Sequence, residues 1–211
     1  MNFTFLSVDL ALLFLFVVLI FVNRSSFSLL TIASALICGF CFSCISWLFA
    51  EFGVQTVGFT WEEAIFYPLL GMVGLQLYHV LNARFPDNSL EKFSLSLSNL
   101  LLGIGLGVLF FTYTKWLSVV SFGLLFLLLL YIEYLNKLRF MYRLYRAYFV
   151  ALLFIWPAYY ILVNQSLLSY RASEVMLLNI GGVPIELTFL FMTLLLSCVY
   201  FFEWLKNKYI R

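Results

Sequence analysis

The sequence predicts an all-α membrane protein, a bundle of about seven transmembrane helices. Three observations carry this: an apolar composition, seven apolar runs of spanning length, and basic residues that fall on one side once seven spans are drawn. Of the 211 residues, 64% are hydrophobic and only 10% charged, with a mean hydropathy of +1.05; about a quarter of a soluble domain is charged. A span needs roughly 20 apolar residues, so this length accommodates seven spans with short connections as a single integral membrane domain. The net charge of +2 is too small to imply a nucleic-acid partner. Met1 to Leu6 has no basic region, and no small-residue cleavage site follows, so the first run reads as a retained helix rather than a signal peptide.

Taken in order, the runs place spans at 8–22, 28–50, 61–81, 94–114, 117–135, 147–163 and 184–204. Charged or polar segments separate most of them. Between the fourth and fifth only Lys115 interrupts an apolar stretch from Phe93 to Leu135, which is too long for one helix. Trp47, Trp61, Trp116, Trp156 and Trp204 mostly fall near span ends, where amphipathic rings sit at headgroup level. Seven spans put Arg24, Arg84, Lys92, Lys137, Arg139, Arg143, Arg146, Lys206, Lys208 and Arg211 on one side, and only Lys115 and Arg171 on the other. By the positive-inside rule the first side is cytoplasmic, with the N-terminus outside and a multi-pass location in the cell membrane. The basic loop from Lys137 to Arg146 reads as a topology signal and a contact for anionic headgroups.

Asp9, Glu62, Glu63 and Glu186 map to the extracytoplasmic ends of the first, third and seventh spans. Ionisable groups at membrane depth are costly and commonly mark function, although these are shallow and have local explanations. Thr60 and Glu63 have capping-box spacing, and Pro184 followed by Glu186 reads as a helix start with an acid near the positive dipole end. The segment at 58–67 aligns with that at 182–191, pairing Glu62 with Glu186, Thr60 with Pro184 and Tyr67 with Phe191 at an offset of 124 positions. The same offset sets His79 against Glu203. A three-helix unit ends opposite its start, so a parallel duplication needs one linking helix. The expected architecture is therefore a 3+1+3 internal repeat, with a first repeat at 1–92, a linking helix at 93–115 and a second repeat at 116–211.

The residues resemble the lycopene cyclase domain family, membrane-embedded carotenoid cyclases whose halves occur as heterodimeric subunits or fused in one chain, and this chain looks like a fused form. The likeness runs through FTFLSVDL at 3–10, EEAIFYPLLGMVGLQLYHVLN at 62–82, RLYRAYFVALLFIWPAYYILVNQSLL at 143–168 and NIGGVPIELTFLF at 179–191. Three positions depart from the family pattern: Thr60 where Pro is usual, Leu187 in place of a second acid, and Leu48 where an Asp is common.

The resemblance implies redox-neutral, proton-initiated closure of a polyene end group to an ionone-type ring, the work of an isomerase in carotenoid biosynthesis, with no metal or other cofactor. A strong acid must protonate a terminal double bond, a neighbouring double bond attacks the cation, and a base removes a ring proton. Carboxyls in apolar surroundings stay protonated, and adjacent acids can share a proton. Glu62 and Glu63 fit the acid role and Glu186 the base or anion. Phe66, Tyr67 and Phe189, about one helical turn from these acids, and Asp9 are expected to line the substrate, since aromatic faces stabilise cations. The partners implied are a lipophilic polyene such as lycopene and the bilayer, with a homo-oligomer or other carotenoid-pathway enzymes as further companions.

Two readings from other classes stand beside this one. A small-solute transporter with 3+1+3 repeats would carry polar groups at mid-span, whereas these acids sit at span ends. A cyclase-like subunit that binds a carotenoid without chemistry would be compatible with Leu187. His79 lies a helix length of roughly 24 Å from Glu63 by rise per residue, too far for one site. Cys38, Cys41 and Cys44 read as packing residues, and Cys198 stands alone on its span.

Overall fold

The computed structural model describes residues 5–23, 28–86, 91–136, 140–176 and 178–209. Seven helices span it: α1 (Phe5–Val22), α2 (Leu29–Glu51), α3 (Trp61–Arg84), α4 (Ser94–Phe111, preceded by a 3-10 turn at Glu91–Phe93), α5 (Trp116–Leu130, continued by a π-helical turn at Tyr131–Asn136), α6 (Met141–Asn164) and α7 (Ile185–Tyr209). All seven are long and apolar enough to cross a bilayer, and the chain is a multi-pass membrane protein. Arg24, Lys137, Arg139 and Arg211, along with residues 3 and 4 of the first motif, lie outside the described residues.

Most helices overrun their apolar runs. α1 begins at Phe5 rather than 8, α3 continues to Arg84 rather than 81, α6 begins at Met141 rather than 147, and α7 reaches Tyr209 rather than 204. An apolar run marks only the hydrocarbon slab, while the backbone goes on pairing with itself through the headgroup layer, where charged side chains are solvated. α4 differs in the other direction and stops at Phe111 instead of 114. Thr112 donates its hydroxyl back to the Val108 carbonyl at 2.7 Å, and the Lys115 ammonium leaves the apolar phase by donating to the Val175 carbonyl.

α3 packs against α1, α2, α6 and α7, and α7 packs against α5, α2, α3 and α6, so these two helices form the core while α4 leans mainly on α5 and faces outward. Without a hydrophobic force between helices in lipid, small residues that allow close approach decide such contacts. A Cβ on Gly39 of α2 would strike the Pro68 backbone of α3. Pro68 cannot donate to the Ala64 carbonyl, and the Ser43 hydroxyl of α2 takes up that carbonyl at 2.8 Å. Where α3 crosses α7, a Cβ on Gly71 would meet the Cys198 sulfur at 3.1 Å, and one on Gly74 would meet Leu195 at 2.8 Å. Cys198, the one cysteine of α7, is a neighbour of Cys38 on α2.

One element was not expected. Between α6 and α7 a short hairpin pairs β1 (Asn179–Ile180) with β2 (Val183–Pro184). Gly181 and Gly182 turn it, both at positive φ (59° and 87°), the conformation a two-residue hairpin loop favours. Pro184 therefore ends a strand rather than opening the helix. The loop before the hairpin joins the α2–α3 loop, with the Thr56 amide donating to the Ser169 carbonyl and the Arg171 amide to the Val54 carbonyl, both at 2.9 Å. At the opposite end of the bundle Arg146 holds the end of α3, donating to the Leu81 and Phe85 carbonyls and to Asn82.

Candidate functional site

The acids gather where α1, α3 and α7 begin, beneath the two joined loops. Thr60 caps α3, its side chain accepting the Glu63 amide at 3.3 Å. A capping box would have the Glu63 carboxyl reach back to the Thr60 amide. It keeps that contact with the Thr60 backbone and also turns toward α2, where the Ser46 hydroxyl donates to Oε1 and the Gln55 amide donates to Oε2 at 3.1 Å. The Tyr67 hydroxyl in turn donates to Ser46 Oγ at 3.2 Å. Glu63 is 1% exposed, and all of these donors are uncharged.

Glu62, one residue earlier, is turned by about 100° around the helix and lies within electrostatic reach of Asp9 on α1. Asp9 is buried, and its Oδ1 has no hydrogen-bond partner among the described residues. The two neighbouring glutamates thus serve different sides of α3. Glu186, fully buried on α7, accepts the Ser118 hydroxyl of α5 at 2.7 Å and the Met176 amide from the loop, both on Oε1, while Oε2 is buried without a partner. Its carboxyl bonds to a neighbouring helix and loop rather than to the first amides of its own helix.

Rings surround these groups. Phe66 packs edge-on against Phe5, Tyr67 and Tyr159 at centroid distances of 6.0, 5.6 and 5.7 Å, and Phe189 lies 4.6 Å from Phe122. Tyr67, Tyr159 and Tyr170 share one electrostatic neighbourhood that reaches Glu63. The Tyr159 hydroxyl is buried without a hydrogen-bond partner among the described residues, and the Tyr170 hydroxyl lies beside that of Tyr67. Burial pushes the Tyr170 hydroxyl, in the loop, well above the ordinary tyrosine range.

An arrangement of carboxyls, buried tyrosine hydroxyls and aromatic faces, shut from water, can give and take protons beside an apolar molecule and can stabilise a transient cation. Glu63 with Tyr67 and Phe66, and Asp9 with Glu62, come together; Glu186 and Phe189 belong to a separate cluster around α5. Sequence reasoning missed Ser46, Gln55, Ser118, Tyr159 and Tyr170. Their signal is present only as polar atoms inside apolar helices or a short loop, which is weak among 13 tyrosines. His79 lies toward the other end of α3, its ring 4.5 Å from Phe202 and its Nε2 3.5 Å from the Thr31 hydroxyl.

Residues 114–205 match the family model described as Lycopene cyclase. This stretch runs from just before α5 to near the end of α7 and contains Glu186 and Ser118; it is fewer than half of the residues and omits Asp9, Glu62 and Glu63. No curated protein and no solved structure matches the chain.

Proposed function

We propose that this protein is a carotenoid cyclase that closes the end group of a linear polyene such as lycopene without net oxidation or reduction. One observation carries the reading: Glu63 is a carboxyl sealed from water, bonded only by neutral donors and set among tyrosine and phenylalanine rings. The segment match to lycopene cyclases supports it from the other half of the chain.

In this reading Glu63 donates its proton to the terminal carbon-carbon double bond, forming a C–H bond and leaving a tertiary cation. A second double bond of the same chain attacks the cation and closes the ring, which moves the positive charge onto a ring carbon. Glu186, through its unpartnered Oε2, removes a proton beside that carbon, and the electron pair forms the new double bond. The elemental composition is unchanged, and protons exchanged with solvent restore both acids. Ser46 and Gln55 orient the Glu63 carboxyl, as Ser118 orients that of Glu186. Phe66, Tyr67 and Phe189 offer ring faces to the cation. Asp9, buried near Glu62, can resupply the site with a proton.

The reading includes a 3+1+3 repeat with α1–α3 and α5–α7 as its halves and α4 as the link. Reciprocity supports it. At an offset of 124 positions Gly71 corresponds to Leu195 and Gly74 to Cys198, and the close contacts are crossed, Gly71 with Cys198 and Gly74 with Leu195, as a two-fold relation requires. The acid-bearing end is proposed to be extracytoplasmic by the positive-inside rule. Reporter fusions after Arg211 and within 137–146 should read cytoplasmic, and one within 165–182 should not. One feature favours a second reading, a carotenoid-binding subunit without chemistry: Leu187, fully buried, occupies the place of the family's second acid.

Expression in a lycopene-accumulating bacterium separates the two readings. Pigment of lycopene's mass but altered absorption and retention should form, and in deuterated water it should carry deuterium in the new ring. Abundant, folded protein that leaves lycopene unchanged would replace the cyclase reading with the binding one.

A further inference from the structure

Among the clefts that the described residues form, two lie between the proposed halves. One, about 560 Å³, lies between α2 and α5, with Ile45, Leu48, Phe49 and Phe52 on one wall and Trp116, Val120 and Leu124 on the other. The second, about 320 Å³, lies between α6 and α1, with Phe154, Pro157, Ala158 and Ile161 facing Ser7, Ala11 and Leu15. Seven of the nine residues lining each cleft correspond in pairs. Ile45 and Phe154, Leu48 and Pro157, Phe49 and Ala158, and Phe52 and Ile161 are each 109 positions apart, and so are Ser7 and Trp116, Ala11 and Val120, and Leu15 and Leu124. The clefts are the same feature built twice, once at each interface between the halves.

They differ in what stands behind them. In the α2–α5 cleft, Ser46, the donor to Glu63, sits on α2 between Ile45 and Leu48, and Gln55, the second donor, follows the wall residue Val54. Across the cleft Ser118, the donor to Glu186, lies on α5 between Trp116 and Val120, on the inward side. Both proposed proton-transfer groups therefore back onto this one cleft, one through each wall. Behind the α1–α6 cleft the position 109 residues after Ser46 is Ile155, fully buried and unable to hold an acid, so only Asp9, 109 positions before Ser118, backs onto that cleft, through its α1 wall. Leu48, Phe52 and Trp116 are exposed on the outer surface where α2 ends and α5 begins, so the α2–α5 cleft opens sideways near the edge of the bilayer. Its volume falls in the range of ligand pockets, roughly 300–1,000 Å³.

We propose that the α2–α5 cleft is the substrate channel: the end of a linear isoprenoid polyene slides in from the bilayer between Phe49 and Trp116 and comes to rest between the Glu63 and Glu186 sites. This deepens the cyclase reading and rests on it for the chemistry. The occupant is an uncharged conjugated chain because the walls are apolar and aromatic, and the one acid among the lining residues, Glu174, is engaged outside, its side chain accepting the Trp116 amide. The α1–α6 cleft, smaller and without the aromatic pair of Phe49 and Trp116, is not the reacting channel.

The repeat provides its own control. Val120→Trp fills the α2–α5 cleft and Ala11→Trp fills its counterpart; Leu48→Trp narrows the first cleft from the other wall, at a residue already facing lipid, should Val120→Trp fail to fold. Lycopene co-purifying per mole of detergent-solubilised protein and cyclic pigment formed in membranes are both measured. Val120→Trp and Leu48→Trp should each lose at least tenfold in both, with Ala11→Trp within twofold of the unsubstituted protein. Retention and product unaffected by the first two, or lost only in Ala11→Trp, overturns the channel while leaving the cyclase reading intact. Lycopene retained by the unsubstituted protein and expelled by the tryptophans without any cyclic product overturns the reaction and leaves the channel standing. Neither retention nor conversion by the unsubstituted protein removes both.

Discussion

At the start of α3 two consecutive acids serve different neighbours, Glu63 the serine and glutamine of the α2 side and Glu62 the aspartate of α1, whereas at the start of α7 one acid, Glu186, is followed by Leu187. At an offset of 124 positions Glu186 corresponds to Glu62, and Leu187 to Glu63. Ser118, which holds Glu186, stands 109 positions after Asp9, the neighbour of Glu62. The start of α7 thus has an acid on the α5 side and hydrocarbon at the next position. Of the two acid-bearing helix starts, only that of α3 carries a second carboxyl with donors to orient it.

The largest effect expected from this asymmetry is on the reaction itself. Glu63→Gln preserves size and an acceptor for the Ser46 hydroxyl, with the Gln55 amide turned over to accept from the new NH2, but cannot donate the initiating proton, so cyclic pigment should fall at least about 100-fold, the scale of general-acid contributions, at unchanged protein abundance. Glu186→Gln should fall less, by about ten- to 100-fold, because another acceptor can take a proton from a strongly acidic cation. If Glu186→Gln proves the more damaging of the two, the donor and acceptor roles are exchanged.

Stability sharpens the comparison next. Leu187→Glu puts a carboxyl in a fully enclosed place where Ile155 offers no donor, and an unpaired buried polar group costs about 1–3 kcal/mol. Its melting temperature in detergent should drop, and adding Ile155→Ser should recover part of the loss; no recovery would mean that the two halves do not correspond there. Smaller still, Ser46→Ala and Ser118→Ala each remove one hydrogen bond to an acid, about 1–1.5 kcal/mol, so product should fall about five- to tenfold with little change in lycopene retention. The smallest effect belongs to Ser43→Ala. It leaves the carbonyl freed by Pro68 unpaired, a need α7 lacks because Met192 stands at the matching position, and it should lower the melting temperature slightly without touching the pigment profile.

The seven spans, the break at Lys115 and the cap at Thr60 were legible from residues alone, because a bilayer demands long apolar helices and a helix start demands a side-chain acceptor, and both requirements act locally along the chain. The acids too stood out, since charged groups are few in so apolar a sequence. What the tertiary structure alone decided is the company each acid keeps. Glu62 and Glu63 are neighbours in sequence and looked like a pair, yet they are turned by about 100° onto different helices. Ser46, Ser118, Tyr159 and Tyr170 became site residues only when helices distant in sequence brought them to Glu63, Glu186 or Tyr67. The thiols of Cys38 and Cys198 met in the same way. In a chain that is 64% hydrophobic, every face of a helix is apolar enough to meet lipid, so hydropathy marks where the helices are but not which side of each turns inward. That choice rests on close approach at positions such as Gly39, Gly71 and Gly74, and on which buried polar atoms find partners there.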